Sequence, residues 1–177
     1  MKIKLLPKFI ISLAILGAVL TITISLFSYK SSKTYLESMY AQRITSGSKS
    51  VATMLNLEDV RTIISEGGQS SEAYSRVENM LNTLKKDGDI TYLSLVIPDE
   101  NSVTFYIDCC VEEMGDDPYA QLTYGTNVLY KDAAYDEVDL KKYILIWNLY
   151  AQNKGTDEPV VTDNSYGYNY TSVSPIL

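Results

Sequence analysis

The sequence predicts an α/β chain of the α+β type: a membrane-spanning helix that runs on into a long helix, then an antiparallel sheet with flanking helices. Three observations carry this. From Phe9 to Tyr29, FIISLAILGAVLTITISLFSY, no residue is charged. Between Tyr35 and Leu84 apolar residues return at intervals of three and four, the period of a helix face. From Ile90 to Asp108 two runs rich in β-branched and aromatic residues, ITYLSLVI and VTFYID, flank the turn Pro98-Asp99-Glu100-Asn101 and make a hairpin.

At about 1.5 Å per helical residue the uncharged run covers roughly 30 Å, the hydrocarbon thickness of a bilayer. Its hydroxyls, among them Thr21 and Thr23, are tolerable there because a helical threonine can bond back to its own backbone. A cleaved signal peptide would have an apolar region of only about 7–15 residues closing on a small-x-small site. This run is longer and closes on Leu26-Phe27-Ser28-Tyr29, so an uncleaved anchor is expected. Residues 1–8 then form a short basic cytoplasmic tail, 9–29 the span and 30–177 an extracytoplasmic domain. Lysines lie on both sides of the span (Lys2, Lys4 and Lys8 before it, Lys30 and Lys33 after it), so charge alone orients it weakly.

Beyond Lys33 the chain holds ten basic and 22 acidic residues, a net charge of −12. Such a surface repels nucleic acid and anionic headgroups. There is no histidine, which removes Ser-His-Asp and Cys-His catalysis and histidine metal sites. No phosphate loop, nucleophile elbow or zincin motif occurs. The two cysteines, Cys109 and Cys110, are adjacent; a bond between neighbours needs a strained ring, so thiols are expected.

Along the chain, Lys30 to about Asn56 reads as one helix, with Tyr35, Leu36, Met39, Tyr40, Ile44, Gly47, Val51, Met54 and Leu55 on its stripe. Leu57–Ile64 is a second helix, ended by Gly67 and Gly68 as left-handed-capable residues. A third starts at Ser70 or Ser71, the latter suited to cap it, and closes on Lys85 and Lys86 before Asp87-Gly88. Strands follow at Ile90–Ile97 and Val103–Asp108. Alternation places Val103, Phe105 and Ile107 on one face and Thr104, Tyr106 and Asp108 on the other, a polar set able to line a pocket. Residues 112–135 read as a long loop too rich in tyrosine for a linker. A helix over Val138–Gln152 stops at Lys154-Gly155, a short extended piece PVVTD follows, and Tyr166–Leu177 is a last strand.

The stretches ITYLSLVIPDENSVTFYID, QLTYGTNVLY and EPVVTDNSYGYNYTSVSPIL, in this order behind a span and a long exit helix, resemble the extracytoplasmic Cache sensor domains of bacterial receptors. These are PAS-like modules of chemoreceptors, sensor kinases and cyclic-nucleotide signalling enzymes. The resemblance implies an N-terminus in the cytoplasm, a homodimer, no cofactor, no reaction, and a small-molecule ligand held on the sheet beneath the long loop. By position it points to Tyr92, Tyr106, Asp108, Tyr124, Asp163 and Tyr168 as ligand-binding residues. Their rings would flank an organic ligand, and a carboxylate would meet an amine. The amino-acid-binding subset uses an arginine in this region, and none follows Arg76. The resemblance further implies a central strand after Pro175-Ile176, a second span and an output module, so the sheet is expected to be incomplete: a truncated domain, or one completed by another chain. From a different class, a membrane-anchored structural or adhesive surface protein without a ligand is the alternative.

Overall fold

The computed structural model describes residues 5–65, 67–88, 90–109, 122–134, 137–164 and 167–176, with the backbone alone at 5, 133, 138, 139, 163, 164, 167 and 168. The chain is a mixed α+β protein in two units, Met1–Ala41 and Gln42–Leu177.

Helix α1, Leu5–Met54, is a single 50-residue element that contains the whole uncharged run. It is one helix long and apolar enough to cross a membrane. No glycine or proline falls between Ala18 and Ser46 to interrupt it. Its threonines behave as anticipated: Thr21 donates to the Gly17 carbonyl at 2.9 Å and Thr23 to that of Val19 at 2.8 Å. The apolar side chains of the run, from Phe9 to Phe27, all point outward. Five large residues beyond it, Tyr35, Leu36, Met39, Tyr40 and Met54, are at least half exposed as well.

The second unit is three-layered. Helices α2 (Leu57–Ile64) and α3 (Glu72–Gly88) cover one face of a sheet formed by β1 (Leu93–Pro98), β2 (Ser102–Cys109) and β3 (Thr126–Leu129). The order is β1-β2-β3, all antiparallel. The one-turn α4 (Tyr130–Ala133) and α5 (Glu137–Ala151) lie on the other face, and β4 (Val160–Asn164) and β5 (Gly167–Thr171) make a separate two-stranded sheet. The described strands form two sheets, and among the described residues β1 has a neighbour on one side only, in keeping with the incomplete sheet expected.

Local chemistry explains most boundaries. Asn56 caps α2 by accepting from the Glu58 amide at 2.8 Å, and Ser71 accepts from the Tyr74 amide at 3.1 Å at the start of α3. Of the two glycines between these helices, only Gly67 takes the left-handed conformation (φ 76°). Helix α5 stops differently from expectation. Asn153, not Gly155, adopts positive φ (54°), with Asn153 N–H to Tyr150 O at 2.8 Å and Lys154 N–H to Leu149 O at 2.9 Å. This is the paired bonding of a Schellman cap, in which asparagine stands in for glycine. Strand β1 begins three residues later than the composition suggested, and the last strand ends at Thr171. Cys109 is buried in the core; Cys110 lies outside the described residues.

Two apolar clusters hold the layers. The first joins Ile63, Ala73, Val77, Leu81, Leu95, Ile107 and Cys109, with Val51 of α1 and Leu55, just past its end, packed against it. The second joins Val103, Val128 and Tyr130, with Phe105, Tyr143 and Trp147. Trp147, on α5, is thus a packing residue.

A β-bulge separates the clusters. Leu95 faces Ile107 but Val96 faces Phe105, so Tyr106 is an extra residue in β2. The expected alternation is corrected here. Phe105 and Val103 go to the second cluster and Ile107 to the first, because the bulge shifts every side chain beyond it to the opposite face.

Tyr130 pins α4 to the hairpin turn. Its hydroxyl donates to the Asp99 carbonyl at 2.7 Å, its amide to the Asn101 carbonyl at 3.0 Å, and its ring stacks on Tyr143 at 5.3 Å. Burial pushes its pKa from the ordinary 10.0 up to about 12, against the hydrogen bond to Asp99, which lowers it, and with a smaller rise from the Asp99 charge. The folded state therefore keeps this proton where the unfolded chain has lost it. The corresponding stabilisation is complete below pH 10 and disappears as pH rises toward about 12. Tyr130→Phe should flatten that alkaline loss in urea titrations followed by Trp147 fluorescence, while costing about 1 kcal/mol near neutrality for the lost hydrogen bond. An alkaline profile identical to the parent would contradict this assignment.

Candidate functional site

Three of the six residues singled out from the sequence come from one stretch of sheet and loop: Tyr106 and Asp108 from β2, and Tyr124 from the turn that leads into β3. Gly125, at φ 75°, makes that turn possible, and its amide donates to the Phe105 carbonyl at 2.8 Å.

Tyr106 and Tyr124 meet edge to face, centroids 5.4 Å apart at 84°. Tyr124 meets Tyr74 of α3 in the same manner at 6.0 Å and 66°. Edge-to-face pairs set the positive ring edge on the negative face of a neighbour, which fixes all three rings relative to the first cluster. Tyr74 was not singled out from the sequence. Its place on the Tyr74–Val77–Leu81 stripe marks it as inward-facing, and nothing in the spacing says that a second ring waits there.

The polar ends of these side chains have internal partners. The Tyr124 hydroxyl reaches the Ile63 carbonyl at 2.6 Å and the Ser65 carbonyl at 3.0 Å, groups left over at the C-terminus of α2. The Tyr74 hydroxyl has its pKa raised, by burial first and then by the neighbouring Glu78 carboxylate, with which it shares a hydrogen bond. It remains a proton donor throughout the physiological range.

Asp108 stands apart from the rings. Its Oδ1 accepts from Ser94 Oγ at 2.6 Å, its cross-strand partner, and its Oδ2 from the Leu122 amide at 3.3 Å. The bulge is the cause: Tyr106 packs with the first cluster while Asp108 turns with Ser94 to the other face. Tyr92 precedes β1 and is 44% exposed. Asp163 and Tyr168 face each other across the β4–β5 pair, but their side chains lie outside the described residues. The structure thus joins Tyr106 and Tyr124, adds Tyr74, and does not bring Asp108 or Tyr92 into the same cluster.

Chemically, the arrangement is a rigid aromatic wall of three rings with hydroxyl donors. Residues 110–121 lie outside the described residues. Among the described residues no group of three or more His, Cys, Asp or Glu side chains gathers to hold a metal. No protein-family model, curated protein or solved structure matches this chain.

Proposed function

We propose that this chain is the ligand-sensing region of a bacterial transmembrane receptor: an extracytoplasmic domain that binds a small organic molecule and relays a conformational change through its membrane helix. The N-terminus would lie in the cytoplasm, and the domain would act as a homodimer without catalysing a reaction. One observation carries the reading furthest. Helix α1 is uninterrupted from the uncharged run past Val51 to Met54, and Val51 and the adjoining Leu55 pack on the same apolar cluster as Tyr74, Tyr106 and Tyr124. A ligand that rearranges the tyrosines would have a packed route to the helix, and it shifts the equilibrium by its differential affinity for the two arrangements.

A ligand-free structural or adhesive surface protein is favoured by a different observation: the Tyr124 hydroxyl and both Asp108 oxygens already have partners within the domain. The two readings separate in a thermal-shift screen of amines, polyols and aromatic metabolites on the full chain in lipid vesicles. A ligand at about 100 times its Kd adds roughly 2.7 kcal/mol, a rise of about 5–10 °C for a domain of this size. The sensory reading expects such a rise, lost in Tyr106→Leu. A library without any stabilising member supports the structural protein instead. In the same vesicles, Met39→Cys on the exposed stripe of α1 should cross-link two copies; a monomer only would remove the dimer from the proposal.

A further inference from the structure

We propose that Ser48, Thr156, Ser172 and Ser174 form a hydroxyl clasp, poised to open, that fastens the segment 172–176 to helix α1. This segment leaves β5 as a strap without regular structure, and Ile176 at its far end packs on the first cluster. Ser48 Oγ lies 2.8 Å from Ser172 Oγ and 3.1 Å from Ser174 Oγ, alternate residues of an extended chain that share one side. Thr156, in the loop after α5, lies 2.6 Å from Ser172 Oγ, and its amide donates to the Val173 carbonyl at 2.9 Å. The Val173 amide in turn donates to Thr156 Oγ1 at 3.1 Å. The joint is tight: a Cβ on Gly155 would stand 2.8 Å from the Val173 carbonyl oxygen.

Two features make the clasp poised rather than fixed. First, its four hydroxyl protons are asked to serve five contacts, since Ser48 also reaches the Thr45 carbonyl (3.1 Å) and Thr156 the Val173 carbonyl (3.3 Å). One contact is always left without a proton, and rotation of the hydroxyls moves the deficit around the network. Second, a buried hydroxyl beside the joint is unsatisfied. Thr45 Oγ1, one turn before Ser48 on the buried side of α1, has no partner among the described residues. Water that reached it when the joint parted would satisfy it, which favours opening. Among the described residues, the ion pair beside the clasp, Lys49–Asp157 at 3.9 Å, is solvent-exposed and holds little. Val51 and Leu55 remain packed on the core when the strap lifts, so opening is local.

The clasp deepens the sensory reading, because it marks where the strap can part from α1, and it rests on that reading for its purpose. Its test needs no ligand, so either can fail without the other. Amide exchange by mass spectrometry on the full chain in lipid vesicles reads the Thr156 and Val173 amides directly. Ser48→Ala should speed their exchange by about tenfold while the β1–β2 amides keep their rate. Thr45→Val, which removes an orphan and no bond, should slow the same two amides by about tenfold. Unchanged rates in both variants, or an equal acceleration of every amide in Ser48→Ala, would overturn the clasp.

Discussion

Alanine at Gly68 should break the corner between α2 and α3, at a cost above about 3 kcal/mol. Gly68 is buried, and an added Cβ would run into the Ile63 carbonyl and stand 2.6 Å from the Thr62 carbonyl oxygen. Both obstacles are backbone, so no side-chain rotation relieves them. The end of α2 would have to move, and two holds depend on its position. Ile63 is fully buried in the first cluster, and the Ile63 carbonyl accepts the Tyr124 hydroxyl. Gly67 is the control. It has the left-handed φ of 76° but nothing within 4 Å of its Cβ position, so Gly67→Ala meets only the conformational penalty of about 1–2 kcal/mol. Urea denaturation followed by far-UV circular dichroism separates the two. A Gly68→Ala midpoint as mild as that of Gly67→Ala would mean that the corner is not packed in this way. Against a total stability of about 5–15 kcal/mol, the expected loss is large enough to lower the yield of folded protein.

The contrast between these glycines also shows where sequence reasoning stops. A Gly-Gly pair after a helix announces a left-handed stop, and Gly67 supplies it; that Gly68 is required for close approach depends on a neighbouring carbonyl that only the folded corner supplies. Long-period features were readable. The continuous helix over residues 5–54, the cap at Ser71 and the hairpin around Pro98 follow from charge, periodicity and turn composition. Short ones were not. Strand β3 has four residues, too few for an alternation to be distinguished from a loop, and it exists because Thr126–Leu129 finds Phe105–Ser102 as a partner. Asn153 ends α5 because its amide and that of Lys154 find free carbonyls, a property of geometry that a nearby Lys-Gly pair imitates in the sequence. The tyrosines at 106 and 124 were legible as ring-bearing sheet and loop positions. Their meeting with Tyr74 was not, since it depends on how α3 lies over the sheet.

The bulge at Tyr106 gives the second large effect. Ile107 is 1% exposed in the first cluster, so Ile107→Ala should cost about 3–4 kcal/mol, the lost transfer energy plus an unfilled cavity. More telling is its coupling. In an unbulged strand Phe105 and Ile107 would share a face and neighbours, and the double substitution to alanine would depart from additivity by 0.5 kcal/mol or more, a rough threshold for residues in contact. Here the extra residue sends them to opposite faces, so Phe105→Ala and Ile107→Ala should add within about 0.5 kcal/mol despite standing two positions apart. Leu81→Ala, from α3 across the same cluster, should couple to Ile107→Ala and not to Phe105→Ala. Equilibrium denaturation of the three single and three double variants measures all the terms. Coupling between 105 and 107 would place both side chains in one core and remove the bulge. That result would also return Asp108 to the face of Tyr106, and with it the mixed aromatic and carboxylate pocket that the straight strand predicts. Additivity instead keeps Asp108 off the face of the ring trio, so that a ligand amine would meet the Glu78 carboxylate beside Tyr74 rather than Asp108.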